Sequence, residues 1–371
     1  MPDITANTSV YIFKDNDGFK YTKDNGSATP IDSWPVIIIG SGTSKLTVTF
    51  EDGITFNGSD QFFICGSDNI QFGDNNKTTI NLNGILNYPG LIQNGYDDTV
   101  TSENGKRNIT IKNIDIIGKN GTTIATNGGG VAQSYFGIRN SSNSTISIDG
   151  CSCNIITKQN AGGIAGASFG YYALGGTLSI ENCHSTATNI YDGGGIAGSN
   201  FGYQAHGSST LYISNCYSTG DVSDNAGGIA GSNFGYQATI SHCYHVGSVN
   251  NITPNLPQGT LINCYSETKW SDVNAHNTLL DAPTPGERSG KIWYSINNNT
   301  PYILLVFVDL TNIENISSII NKLVESTTIN TSEITFDGLY KSLMTVLNNK
   351  NINNTTANLI KKIVDKHKHN I

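Results

Sequence analysis

Short stretches of alternating apolar and polar residues recur through the first 270 positions, separated by clusters of Gly, Asn, Asp and Ser. LTVTF (46–50), GITF (53–56), QFFICG (61–66), NIQFG (69–73), TTINLNG (78–84) and NITIKNIDIIG (108–118) all follow this rhythm. A period of two predicts half-buried strands, and the clusters between them predict turns. Helical spacing appears only near the end. Ile313, Ile316, Ile319, Ile320, Leu323 and Val324 form one stripe. Phe336, Leu339, Tyr340, Leu343 and Leu347 form a second, and Leu359, Ile360, Ile363 and Val364 a third. Residues 311–371 therefore read as a small helical tail. Its apolar stripes need a partner surface, either one another or a further chain.

The strand-forming part repeats itself. AGGIAGASFG (161–170), GGGIAGSNFG (193–202) and AGGIAGSNFG (226–235) align, and a divergent copy, GGGVAQSYFG, spans 128–137. Each copy leads to a second shared element: ISIDGCSC, SIENCHST, YISNCYST and TISHCYHV. Val131, Ile164, Ile196 and Ile229 lie 33, 32 and 33 residues apart. Cys151, Cys183 and Cys216 lie 32 and 33 apart, and Cys243 and Cys264 follow after 27 and 21. The first shortening has a local origin. Nine residues separate Gln204 from Ile213, but three separate Gln237 from Ile240. One place in the repeat thus tolerates deletion, as an outward loop does.

A repeat of this length, built from short strands and turns, predicts an all-β fold. The expected form is a right-handed parallel β-helix, a β-solenoid, with equivalent residues stacked about 4.8 Å apart. Three interior ladders are expected: Cys151, Cys183, Cys216, Cys243 and Cys264; Ile164, Ile196 and Ile229; and Phe169, Phe201 and Phe234. Residues 1–40 read as an irregular N-terminal cap in which Trp34 covers the first coil. Residues 41–266 read as the β-helix, with the clear repeats at 128–266. Residues 267–310, with Trp270 and Trp293, read as its C-terminal cap, since an open end exposes strand edges.

Composition sharpens this picture. There are 41 Gly, two Met and 13% charged residues in 371, which suits turns and strands and disfavours long helices. The net charge of −8, with no basic stripe, removes the electrostatic footprint of nucleic-acid binding. No run of 18 apolar residues exists, so no membrane span is expected. The first 20 residues have neither the basic start nor the apolar core of a secretory leader. Seven Cys are present, none with zinc-ribbon spacing, and the repeat explains their positions better than a metal or redox site. Packed, reduced thiols are expected. His184 and His242 adjoin the series but belong to the opposite face.

GGIAGSNFG followed by ISNCYSTGDVS resembles the GLUG-type repeat, with its Gly-Gly-apolar-small-Gly start and Asn-Cys-Tyr-Ser/Thr-Gly finish. Such repeats occur in bacterial surface proteins and adhesins. Repeats followed by a tryptophan-containing cap ending in TPYILL also resemble repeat proteins of large amoeba-infecting DNA viruses. The resemblance spans residues 128–305 and implies a fold without shared catalytic residues or cofactors. The reduced-looking Cys favour the viral setting.

No catalytic, cofactor or metal residues are assigned. Carbohydrate-active β-helices need clustered carboxylates on one outer face. Asp149 and Glu181 occupy equivalent places, but the next copies carry Ser214 and Ser241. The three Arg, at 107, 139 and 288, do not join them. Asp60, Asp68 and Asp74 suit calcium or, more simply, turns. Tyr171, Tyr203 and Tyr236 follow Phe-Gly, and Tyr217, Tyr244 and Tyr265 follow Cys. These tyrosines offer outer ladders for a glycan or protein contact. The expected function is non-enzymatic: a virion-associated fibre, spike or decoration component, made in the host cytoplasm. Residues 311–371 would join it to copies of itself or to a larger assembly. A glycan-binding extracellular adhesin is the alternative, and a carbohydrate-active enzyme ranks third.

Overall fold

The computed structural model describes residues 1–94, 105–188, 191–223, 225–235, 237–241, 243–247, 253, 259–262, 264–268, 294–297 and 300–303. The chain divides into two compact units, Met1–Lys269 and Trp270–Ile371. The described residues are all-β and include no helix. The helical tail expected over 311–371 lies outside the described residues, as does most of the expected cap at 267–310. In the second unit Tyr294–Asn297 pairs antiparallel with Thr300–Ile303.

In the first unit the chain visits three sheets in rotation. The long sheet has eleven described strands, the middle sheet eight and the short sheet four. Successive visits to a sheet pair in parallel. In the long sheet Thr145–Asp149, Thr177–Glu181, Thr210–Ser214, Ala238–Ser241 and Thr260–Ile262 follow one another in register. In the middle sheet Ser152–Cys153, His184–Ser185, Tyr217–Ser218, Tyr244–Gly247 and Tyr265–Thr268 do the same. The short sheet ends as strands at Ile92–Gln93 and continues as single bridges through Ala132, Ala165, Ala197 and Ala230. Sequence periodicity produces this arrangement because an in-register parallel pair sets each side chain beside its own equivalent.

The alternation then decides the interior. Leu46, Ile70, Ile109, Ile146, Leu178 and Leu211 form one buried row of the long sheet. Val48, Phe72, Ile111, Ile148, Ile180, Ile213 and Ile240 form a second, each of them fully buried. The corner between long and middle sheets uses left-handed backbone at Asn113, Gly150, Asn182 and Asn215, with φ of 54°, 66°, 53° and 53°. Asn adopts this conformation at small steric cost, which explains why it alternates with Gly there.

The first forty residues are more regular than their composition suggests. Asp3–Ala6 pairs in parallel with Val36–Gly40, and Ser9–Asp15 with Leu46–Phe50. Ser9–Asp15 also forms an antiparallel hairpin with Gly18–Lys23, which closes that end of the long sheet. Trp34 packs against Phe19, Phe56 and Phe63 at 5.2, 5.6 and 5.4 Å between ring centroids. The Lys14 ammonium donates to the Thr55 carbonyl at 3.4 Å, covering part of the first middle-sheet strand. Charged cover of this kind discourages edge-to-edge association.

Candidate functional site

The Cys row follows directly from the corner. After the left-handed residue the backbone leaves the sheet ladder, and the next N–H needs an acceptor. The N–H of Cys151 donates to Cys183 Sγ, that of Cys183 to Cys216 Sγ, and that of Cys216 to Cys243 Sγ, each at 3.4 Å. The thiols donate onward to carbonyls. Cys183 Sγ lies 3.0 Å from the Glu181 carbonyl, Cys216 Sγ 3.2 Å from that of Ser214, and Cys243 Sγ 3.2 Å from that of Ser241. Cys264, half-buried, continues the row toward the Ile240 carbonyl at 3.3 Å. All seven thiols are free. Burial raises the pKa of Cys151, Cys183, Cys216 and Cys243 far above the ordinary thiol range. Such thiols are poor nucleophiles and poor metal ligands.

The other two interior rows are equally direct. The Val131 N–H donates to the Ile164 carbonyl, Ile164 to Ile196, and Ile196 to Ile229, at 2.9–3.0 Å. Phe136, Phe169, Phe201 and Phe234 stack at 6.1, 5.4 and 5.7 Å with interplanar angles of 6°, 3° and 10°. The stack extends one residue further back than the clear repeats imply.

A fourth interior row was not legible in the sequence. Cys153, Ser185, Ser218 and His245 share one register of the middle sheet and are buried. Each faces the second glycine of a Gly-Gly pair. A methyl on Gly130 would lie 2.5 Å from Cys153 Sγ, and methyls on Gly163, Gly195 and Gly228 would overlap Ser185, Ser218 and the His245 ring. The Gly-Gly-apolar motif is therefore a close approach of two faces across the interior.

The tyrosines divide. Tyr171 and Tyr203 are half-buried on the outside and stack at 6.1 Å. Tyr135 and Tyr172, not anticipated, join them: Tyr135 meets Tyr171 at 5.8 Å and Tyr172 meets it at 4.6 Å. Tyr217 stands in the outward row of the middle sheet, in register with Ser152 and His184, and its neighbours cover it. It is 6% exposed, its ring stacks on His184 at 4.9 Å, and burial raises its pKa. Tyr217, Tyr244 and Tyr265 do share a register. Tyr236 and His242 lie outside the described residues. His184 is half-buried, with its pKa lowered to about 4, first by burial and then by Lys77.

The carboxylates are already engaged. Asp149 accepts from Asn182 Nδ2 at 2.8 Å, and Glu181 accepts from Tyr212 Oη at 3.2 Å and Ser214 Oγ at 3.3 Å. Asp68 is paired with Arg107, Nη2 at 2.7 Å, and Asp74 accepts the Asn76 N–H at 2.7 Å in a turn. Among the described residues no three His, Cys, Asp or Glu side chains gather to hold a metal ion. No helix among them is long and apolar enough to cross a membrane.

No protein-family model matches the chain, and no curated protein matches it. Among solved structures, a putative immunoglobulin A1 protease from Bacteroides ovatus is similar over 79% of this chain and 83% of its own, at 19% identity and a TM-score of 0.34. A likeness at that level carries no argument about fold or activity.

Proposed function

We propose that Met1–Lys269 is a right-handed parallel β-helix serving as a rigid, non-enzymatic scaffold, a fibre, spike or decoration component of a virus particle. The observation that carries this reading is the unbroken parallel stacking of the middle sheet from Ile54–Phe56 to Tyr265–Thr268, matched by the long sheet beside it. Strands hydrogen-bonded to both neighbours and packed on one continuous interior resist bending. The outer face supports a non-catalytic role. Glycosidic chemistry uses two free carboxylates roughly 5–10 Å apart across a groove, whereas Asp149 and Glu181 are held by Asn182, Tyr212 and Ser214. The resemblance over residues 128–305 and the free thiols support the particle setting. Attachment to copies of itself or to a larger assembly is assigned to residues 311–371.

Quantitative mass spectrometry of purified particles tests this reading. The expected result is a fixed copy number per particle that survives protease treatment of adsorbed host protein. Absence of the chain from washed particles removes it.

A further inference from the structure

The six residues that the fourth repeat lacks leave a step on the outer face of the long sheet. Between Gln204 and Ile213 the third repeat carries a loop, and the fourth passes from Gln237 to Ile240 directly. At that step lies an open depression of about 490 Å³. It is lined by the fourth rung, with Thr239 and Ser241. Beside it in the same sheet is the third, with Thr210, Tyr212 and Ser214. Ser209 comes from the end of the loop, and the amides of Asn215 and Gln237 lie at the margins.

The chemistry of this lining is narrow. Apart from Leu211 and the Tyr212 ring, its described side chains are hydroxyls and amides, with no charged group among the described residues that line it. Tyr212 is fixed in place. Its hydroxyl donates to Glu181 at 3.2 Å, and Glu181 also accepts from Ser214, which is 8% exposed. Burial, and then Glu181, raise the tyrosine's pKa, so the hydroxyl keeps its proton. A held aromatic ring beside a set of neutral donors and acceptors suits a ligand with one apolar C–H face and many hydroxyls. A phosphate or uronate would need a cation here, and the charged group bonded to this lining is the Glu181 carboxylate.

We propose that this depression binds a neutral saccharide, with the Tyr212 ring under one pyranose and the hydroxyls of Thr239 and Ser241 bonding its rim. This goes beyond the scaffold role, because a rod serves its particle with or without such a site.

Saturation-transfer NMR and titration of the full chain with cellotriose, maltotriose, mannotriose and chitotriose test the proposal, with trigalacturonate as the acidic counterpart. At least one neutral trisaccharide should bind, and trigalacturonate should bind at least tenfold more weakly. Thr239→Arg, a half-buried outward position, should lower affinity at least tenfold without changing the thermal transition. Tyr212→Ala should do the same, and if it fails to fold, Thr239→Arg decides alone. No binding by all four neutral sugars overturns the proposal. So does binding that survives Thr239→Arg, or equal binding of trigalacturonate. None of these outcomes bears on whether the chain belongs to a particle.

Discussion

Residues 36–124 and residues 128–247 share the same three sheets but fill them differently. In the first region Ile54, Ile80 and Ile116 occupy the inward row of the middle sheet, and the short sheet answers with Val36, Ile38, Phe63 and Ile92. Aromatic rings meet there at varied angles, 57° for Phe50–Phe63 and 45° for Phe63–Phe72. In the second region the same row becomes Cys153, Ser185, Ser218 and His245, the short-sheet register passes from Ile92 to Ala132, Ala165, Ala197 and Ala230, and Gly130, Gly163, Gly195 and Gly228 approach the middle-sheet row. The Phe rings there lie within 10° of parallel. Bulky side chains can replace one another by volume, so the first region diverged in sequence without changing its stacking. Where the glycine backbone passes this close to the side chains of the middle sheet, only glycine fits, so the second region kept one spelling.

The largest test of that contrast is Gly195→Ala. Its methyl would overlap Ser218 Oγ and the Gly228 carbonyl, and backbone cannot move aside cheaply. A loss of about 4 kcal/mol or more in urea unfolding is expected. Ile80→Val, in the first region, should lose only about 1 kcal/mol. Comparable losses would mean that the two regions pack alike.

Acid should separate the regions next. All seven His lie at or beyond position 184. His245 is 1% exposed, and burial lowers its pKa to about 4 against the opposing pulls of the Ser218 backbone and then Asp221. The unfolded chain takes up a proton near the ordinary His value of about 6.5, while the folded chain resists until about 4. Stability therefore falls as pH drops through that window, by about 2–3 kcal/mol for this residue. Hydrogen exchange at pH 7 and pH 4.5 should show protection falling around 217–247 and holding around 36–82. His245→Ser should lessen the response, leaving the share of His184, which burial also holds near 4, and an unchanged slope would count against burial of His245 as a cause.

Cys183→Ala comes third. It removes the acceptor of the Cys151 N–H, a buried donor, and about 2 kcal/mol should be lost. The smallest effect belongs to the exposed Lys77–Asp115 pair at 2.9 Å, where Lys77→Ala should change stability by about 0.5 kcal/mol at most. Thermal denaturation of both variants at one pH ranks them.

Much of this is readable in the amino-acid order. The intervals between Val131, Ile164, Ile196 and Ile229 gave the stacking, and the Cys and Phe intervals gave their rows. Less visible was the order hidden in residues 1–40, where Asp3–Ala6 and Ser9–Asp15 pair with later strands but share no motif with them. Tyr217 and Tyr171 each follow a repeated element and both lie on the outside, but neighbours cover Tyr217 to 6% exposure while Tyr171 stays half-buried, a difference no motif marks.

The amino-acid order alone determined which residues lie above which, because contacts along the stack join positions one period apart and so appear as repetition. Contacts across the interior join different faces within one circuit, where no repetition marks them. Only the folded chain decided that the second glycine of each pair meets Cys153, Ser185, Ser218 or His245, that a thiol receives each Cys N–H, and that a missing loop opens a hydroxyl-lined step beside Tyr212.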